Sequence, residues 1–185
     1  MRVMTGEAAT VATANHEADA AADRLGTLFD AHHQRLYRLA RRLSGSADEA
    51  RDLVQDTFLR AARAPASVPT GPSAEEAWLV RVLINLSRDH WRQTANRERL
   101  DRSTAPRGIE ATDPEAALVA RSVVWAALAT LDPRRRAILV MHELEGVPVH
   151  VIARTLGVTS VTVRWHLSKG RRQLAAAIRG EGGKP

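Results

Sequence analysis

Apolar positions along this chain recur at spacings of three and four, the period of one-sided helices, and nowhere form a run that reads as a strand. The pattern is sharpest between residues 148 and 178. Val149, Ile152, Ala153 and Leu156 make the stripe of a short helix, and Gly157 follows as its stop. Gly157-Val158-Thr159 is the turn, because glycine accepts the left-handed backbone that a sharp exit needs. Thr159 or Ser160 then caps a second helix with an inner stripe of Val163, Leu167, Gly170, Leu174 and Ile178. The opposite face carries Trp165, Ser168, Lys169 and Arg172, flanked by Arg164 and Arg171. Small Ala153 lets the two helices approach, and a buried Val158 is expected to fix their angle. A helical hairpin with a solvated basic face would share the stripe. The small residue, the turn glycine and the basic face together match a helix-turn-helix whose second helix enters the DNA major groove.

The rest of the chain follows the same period. Leu28, Phe29, His32, Leu36, Leu39, Ala40 and Leu43 line one side of a helix over residues 25–43, so His32 reads as a packed structural residue rather than a ligand. Ser46-Ala47-Asp48-Glu49 has the form of a capping box and opens a helix ending near Pro65. Ser73-Ala74-Glu75-Glu76 repeats it and opens a helix to about Gln93. Asp113-Pro114 and Asp132-Pro133 each pair a capping Asp with a proline at the first helical position. They open a helix with Leu118, Trp125 and Leu128 on its core side, and another over residues 134–144. Residues 1–24 hold Ala, Thr and scattered acids with few large apolar groups, the composition of a disordered tail, and residues 180–185 read as frayed. The chain is therefore expected to be all-α, in two small helical domains. Residues 25–93 form a three-helix domain, residues 94–112 a flexible linker, and residues 113–179 a four-helix domain ending in the helix-turn-helix.

Charge and composition narrow the chemistry. A formal charge of +6 favours a polyanionic partner. No cysteine is present, so disulfides, thiolate nucleophiles and cysteine zinc sites are excluded. The seven histidines lack ligand spacing, and no Ser/His/Asp grouping or phosphate-cradling glycine loop stands out. Neither a catalytic site nor a metal, cofactor or small-molecule substrate is expected. No apolar run reaches the length of a membrane span and no signal-like segment opens the chain, which predicts a cytoplasmic protein without membrane insertion.

Two further helix faces carry chemistry. On the second helix Ala50, Leu53, Val54, Thr57, Phe58 and Ala61 form the core stripe, while Asp48, Asp52, Gln55, Asp56 and Leu59 lie opposite. Asp52 and Asp56 are like charges one turn apart, which costs a few tenths of a kcal/mol in an isolated helix. A solvated face tolerates that, and a bare Leu59 too; a protein partner with basic groups and an apolar hollow explains both. The third helix reverses the charge. Leu79, Val82, Leu83 and Leu86 face inward, and Arg81, Asn85, Arg88 and Arg92 follow one outer face, with Ile84 and Trp91 beside them. Arginines can neutralise phosphates, Asn can hydrogen-bond a base edge, and apolar neighbours suit an unstacked base. The plainer alternative is an amphipathic helix with an Arg-rich solvated side.

These segments carry a family resemblance. LYRLARRL at residues 36–43, DEARDLVQDTFLRA at 48–61 and WLVRVLINLSRDH at 78–90 resemble domain 2 of the sigma-70 family. Residues 128–174, including Glu143-Leu144-Glu145-Gly146 and Thr162-Val163-Arg164, resemble its domain 4. With these two domains alone, the chain is similar to the extracytoplasmic-function (group 4) sigma factors. The resemblance implies a transcription initiation factor that binds core RNA polymerase, recognises −35 and −10 promoter elements and promotes DNA opening. Asp52, Gln55, Asp56 and Leu59 would then dock on the β′ clamp helices, and domain 4 on the β flap. Arg81, Asn85, Arg88 and Arg92 would engage the −10 element, Asn85 helping to hold a flipped base. Arg164, Trp165, Ser168, Lys169, Arg171 and Arg172 would face the −35 element. An anti-sigma factor is implied as a further partner, since something must cover both promoter surfaces when the protein is idle. Whether the free chain closes domain 4 onto domain 2 stays open. Ala62 stands where the family often has Trp, Trp165 where a small residue is usual, and His166 where Arg is frequent, departures that bear on −35 preference more than on fold. The alternative is a stand-alone helix-turn-helix regulator, which would need a dimer seam or ligand pocket.

Overall fold

The computed structural model describes the backbone of residues 5–100 and 116–180, and side-chain surroundings for residues 19–94 and 123–180. Seven α-helices are described: α1 (Thr5–Leu43), α2 (Ala47–Arg63), α3 (Pro72–Leu100), α4 (Ala116–Ala129), α5 (Pro133–Leu139), α6 (Val149–Leu156) and α7 (Ser160–Ile178). A 3-10 turn spans Pro65–Ser67, and a π-helical turn spans Val140–Leu144. No strand occurs among the described residues.

The first three helices form one unit. Leu28, His32, Leu36, Leu39, Ala40 and Leu43 of α1 are buried against the expected stripe of α2. His32 is a packing residue, its Nε2 lying 3.5 Å from Glu75 of α3. The capping box at α2 forms: Ser46 Oγ accepts from the Glu49 amide, and the Glu49 carboxylate accepts from Gly45 N–H at 2.8 Å. Phe29 departs from the expected stripe. It is 42% exposed, its ring 4.9 Å from Phe58 and 4.5 Å from His33.

Three helix limits in this first unit differ from expectation. The helix α1 begins at Thr5, so residues 5–24 are helical rather than a disordered tail. The segment has few large apolar groups, but alanine is the strongest helix former and dominates it. Arg24 anchors α1 by donating to the carbonyls of Val68 at 2.9 Å and Pro69 at 3.4 Å. The helix α3 opens on Pro72, after Gly71 at φ 101°, so Ser73 lies in the first turn instead of capping it. It then runs to Leu100, through residues assigned to the linker. Loss of apolar period there does not mark the end of the helix. The remaining linker residues, 101–112, and the Asp113-Pro114 start lie outside the described residues, as does the side chain of Leu118.

The second unit is built on α5 and α7. Asp132 caps α5 by accepting from the amides of Arg134 and Arg135 at 3.0 and 3.3 Å, with Pro133 at the first position. The helix expected over residues 134–144 is regular only to Leu139; the Glu145 amide then reaches back to Val140, five residues away, and the turn widens. Between α6 and α7, Gly157 adopts φ 64° and its N–H reaches Arg154 O, while Val158 N–H reaches Ala153 O. That pair of bonds is a glycine-terminated helix end. Thr159 is the cap of α7, accepting from the Thr162 amide. Val163, Leu167 and Gly170 are buried as expected, but Ile178 is 45% exposed, because the stripe runs past the last helix that could cover it.

The two units pack together. The helix α3 meets α5 and α6 as well as α1 and α2, and one apolar cluster runs through both units. This shifts the buried arc of α3: Val80 and Ile84 are buried, so Ile84 does not lie on the exposed basic face, and Val82 is only half-buried. Charged groups pin the seam. Glu145 accepts from Arg35 at 2.9 and 2.7 Å and from Arg42 at 2.7 Å. Burial opposes the Arg35 charge, yet its bonds to Glu145 and the pull of Glu76 raise its pKa above the ordinary value. Arg136 is 6% exposed and donates across the seam to the Leu43 carbonyl and, within its own unit, to Ala129 and Leu131.

Candidate protein and nucleic-acid interfaces

The acidic face forms on the outside of α2. Asp52 and Gln55 are exposed, Asp56 is half-exposed and Leu59 is 40% exposed among them. Asp56 lies 3.8 Å from His90 Nε2 of α3. Asp52 makes no ion pair among the described residues, so its charge is open to a partner. Ala62, one turn beyond Leu59, borders an apolar hollow of about 200 Å³ shared with Leu25, Leu28 and Val68.

The basic face of α3 is only partly available. Asn85 and Arg92 are exposed, and Trp91 is 41% exposed nearby. Arg88 is half-buried, 3.5 Å from Asp89, with its Nε buried and without a hydrogen-bond partner. Arg81 is engaged elsewhere: its Nε donates to Thr155 O at 2.9 Å and its Nη2 to Arg154 O at 3.4 Å. Those carbonyls end α6, where helix-end acceptors are left short of intrahelical partners and the helix dipole favours a cation; Arg154 O also accepts from the Gly157 cap. The structure thus groups Asn85, Arg88 and Arg92, and hands Arg81 to the helix-turn-helix.

On α7, Arg164, Trp165, Ser168, Arg171 and Arg172 are exposed and Lys169 is half-buried. Arg171 is held by Glu143 of the π turn, with bonds of 2.9 and 2.6 Å. Trp165 is the hub of the remainder. Lys169 Nζ sits over its ring at 5.0 Å, the Arg135 guanidinium carbon at 5.8 Å, and His166 meets it edge-on at 4.8 Å. Sequence reasoning did not assign Arg135 to this face. The run Arg134-Arg135-Arg136 directly after a helix cap is a signal, but periodicity alone does not say which arginine turns in. Arg136 is the one buried, while Arg135 bonds Gln173 at 2.7 Å and lies along α7. A Cβ on Gly170 would fall 3.0 Å from Arg135 Cγ and 2.7 Å from Leu139, so glycine is what allows α5 and α7 to approach there.

Among the described residues no group of three or more His, Asp or Glu could hold a metal ion, and no helix is long and apolar enough to cross a membrane. What the three faces offer is binding chemistry: an acidic face with an apolar tip, and two basic faces carrying amide or indole groups.

Comparison with known proteins converges on the same segments. A family model for Sigma-70 region 2 matches residues 28–97, and one for Sigma-70, region 4 matches residues 121–174. ECF RNA polymerase sigma factor SigE of Mycolicibacterium smegmatis is 36% identical over 151 residues, covering 77% of this chain and 57% of SigE. SigL of Mycobacterium tuberculosis, another ECF RNA polymerase sigma factor, is 32% identical over 164 residues, covering 87% of this chain and 92% of SigL. The chain thus spans little more than half the length of SigE and nearly all of SigL. In fold it is similar to the sigma factor RpoE of Bartonella quintana, solved in complex with the anti-sigma factor NepR. There the TM-score is 0.56 at 24% identity, over 85% of this chain and 97% of that one.

Proposed function

This chain belongs to the sigma-70 family, among the extracytoplasmic-function sigma factors, and from that premise we propose that it binds core RNA polymerase, directs it to promoters and helps open their DNA. The observation that carries the reading is the separation of charge by helix. The acidic face of α2, on which Asp52 makes no ion pair among the described residues, repels phosphate and suits a basic protein surface, while α3 and α7 present arginines with groups able to contact bases. We assign Asp52, Gln55, Asp56 and Leu59 to the β′ clamp helices of core polymerase, and the second unit to its β flap as well. Asn85, Arg88 and Arg92, with Arg81 once released from α6, bind the −10 element. Arg164, Trp165, Ser168, Lys169, Arg171 and Arg172 face the −35 element. An anti-sigma factor covering the basic faces completes the set of partners. A stand-alone helix-turn-helix regulator leaves the acidic face of α2 without a task.

The test is a titration of core polymerase with the Asp52→Lys/Asp56→Lys variant, read beside run-off transcription. Charged anchors at interfaces typically cost ~2 kcal/mol or more when truncated, and reversal adds repulsion. Core binding should be lost while helicity by circular dichroism is kept. Unchanged affinity for core would remove the docking assignment.

A further inference from the structure

Trp165 has no packing reason to stand where it does. It is 51% exposed at the middle of the outer face of α7, between Arg164 and Ser168–Lys169, so much of its apolar area contributes nothing to the fold. The ring is nonetheless held in place. Lys169 lies over it at 5.0 Å, Arg135 at 5.8 Å, and the His166 ring abuts it at 4.8 Å. Arg135 is itself fixed, by its 2.7 Å bond to Gln173 and by the close approach of α5 and α7 at Gly170. Cations over the ring compete with any base for its π face, so the indole is poorly suited to stacking on an extruded base. About half of the residue's surface remains open to contact through the rest of the ring.

We infer that Trp165 reads the 5-methyl group of a thymine in the major groove. This rests on the reading that α7 enters that groove. The major-groove edges of the four base pairs display hydrogen-bonding groups and a single apolar one, the thymine methyl. An indole edge amid cations that neutralise the flanking phosphates matches that group and gains by covering it. Lys169 and Arg135 then have two tasks, holding the ring and meeting the backbone. The inference separates Trp165 from its neighbours: they set affinity and register, and it sets a preference for thymine at one position.

The test uses the full-length protein bound to core polymerase. A −35 duplex is selected from a random pool, and each of its thymines is then replaced in turn by deoxyuridine, which lacks only the methyl group. One replacement should weaken binding about three- to fivefold, the effect of uncovering roughly one methyl group. The other replacements should change little. Trp165→Ala should bind the parent duplex more weakly and lose all sensitivity to that replacement. Trp165→Phe, which keeps an apolar edge but has no N–H, should retain it. Helicity by circular dichroism and a cooperative thermal transition in both variants serve as the folding check. Equal binding of every deoxyuridine duplex with selectivity otherwise intact overturns the inference and leaves the DNA-reading role of α7 standing. So does sensitivity that persists in Trp165→Ala. Loss of sensitivity in Trp165→Phe overturns it as well, since phenylalanine still carries the apolar edge that is said to cover the methyl. If no sequence is enriched from the pool at all, the placement of α7 in the groove fails, and the inference with it.

Discussion

His166 shows how one residue answers to two helices at once, α7 that carries it and α5 that it faces. It is half-buried beside Trp165, and its Nδ1 is buried without a hydrogen-bond partner. Burial lowers its pKa from the ordinary value, and the positive charges of Arg135, Arg134 and Lys169 lower it further, with Asp132 opposing. The folded chain therefore takes up this proton less readily than the unfolded chain. Neutral His166 costs nothing above about pH 6.5. As pH falls below that value, the unfolded state gains a proton that the folded state refuses, and stability declines until the lower folded pKa is reached. His166→Gln should remove this contribution. In urea titrations at pH 7.5 and 5.0, the wild-type midpoint should fall more than that of the variant.

At the scale of the element, the contact between α5 and α7 depends on the absence of one carbon. Gly170→Ala places a Cβ 2.7 Å from the Leu139 side chain, which is 3% exposed and has little room to yield. Alanine improves helix propensity by up to ~1 kcal/mol, and overpacking a filled core costs about 1–3 kcal/mol. A net loss of ~1 kcal/mol is expected, measured as a fall in the thermal midpoint, together with a shift in Trp165 fluorescence as Arg135 moves. Gly170 was legible in the sequence as a member of the inner stripe, and so were the caps at Ser46 and Asp132 and the turn at Gly157. Each is fixed by residues within a few positions of itself. Burial of Val80 and Ile84 was not legible, because α3 packs on α5 and α6, about fifty residues or more away in the chain. The reach of α1 and α3 beyond their apolar stripes was missed for a related reason: period reports packing, while propensity alone can carry a helix further. For the site, helix period placed most side chains on the correct face, but it could not show that Arg81 and Arg171 would be engaged by the other parts of the chain they meet.

Across the whole molecule, the seam between the two units rests on few charged groups. Glu145 serves both Arg35 and Arg42 and its side chain is only 11% exposed, so its removal leaves two partly buried guanidiniums short of an acceptor. Glu145→Ala should weaken the seam by about 1–3 kcal/mol, the usual cost of such a loss. Small-angle scattering should show a larger radius of gyration for the variant, most clearly at raised salt, with helicity unchanged. An unaltered radius at all salt concentrations would mean that the apolar cluster alone holds the units together. The bond from Arg81 to the end of α6 has a consequence in the currency of linked equilibria. On the proposed reading Arg81 is a −10 contact, and its bonds to Thr155 O and Arg154 O hold it back from DNA, so the free protein would present its full DNA surface only when open. Every 1.4 kcal/mol favouring closure divides its apparent affinity for DNA by about ten. Any ligand of the open form must then raise affinity for DNA by the same factor that DNA raises affinity for it. In such a chain, polymerase need not touch Arg81 to switch it on.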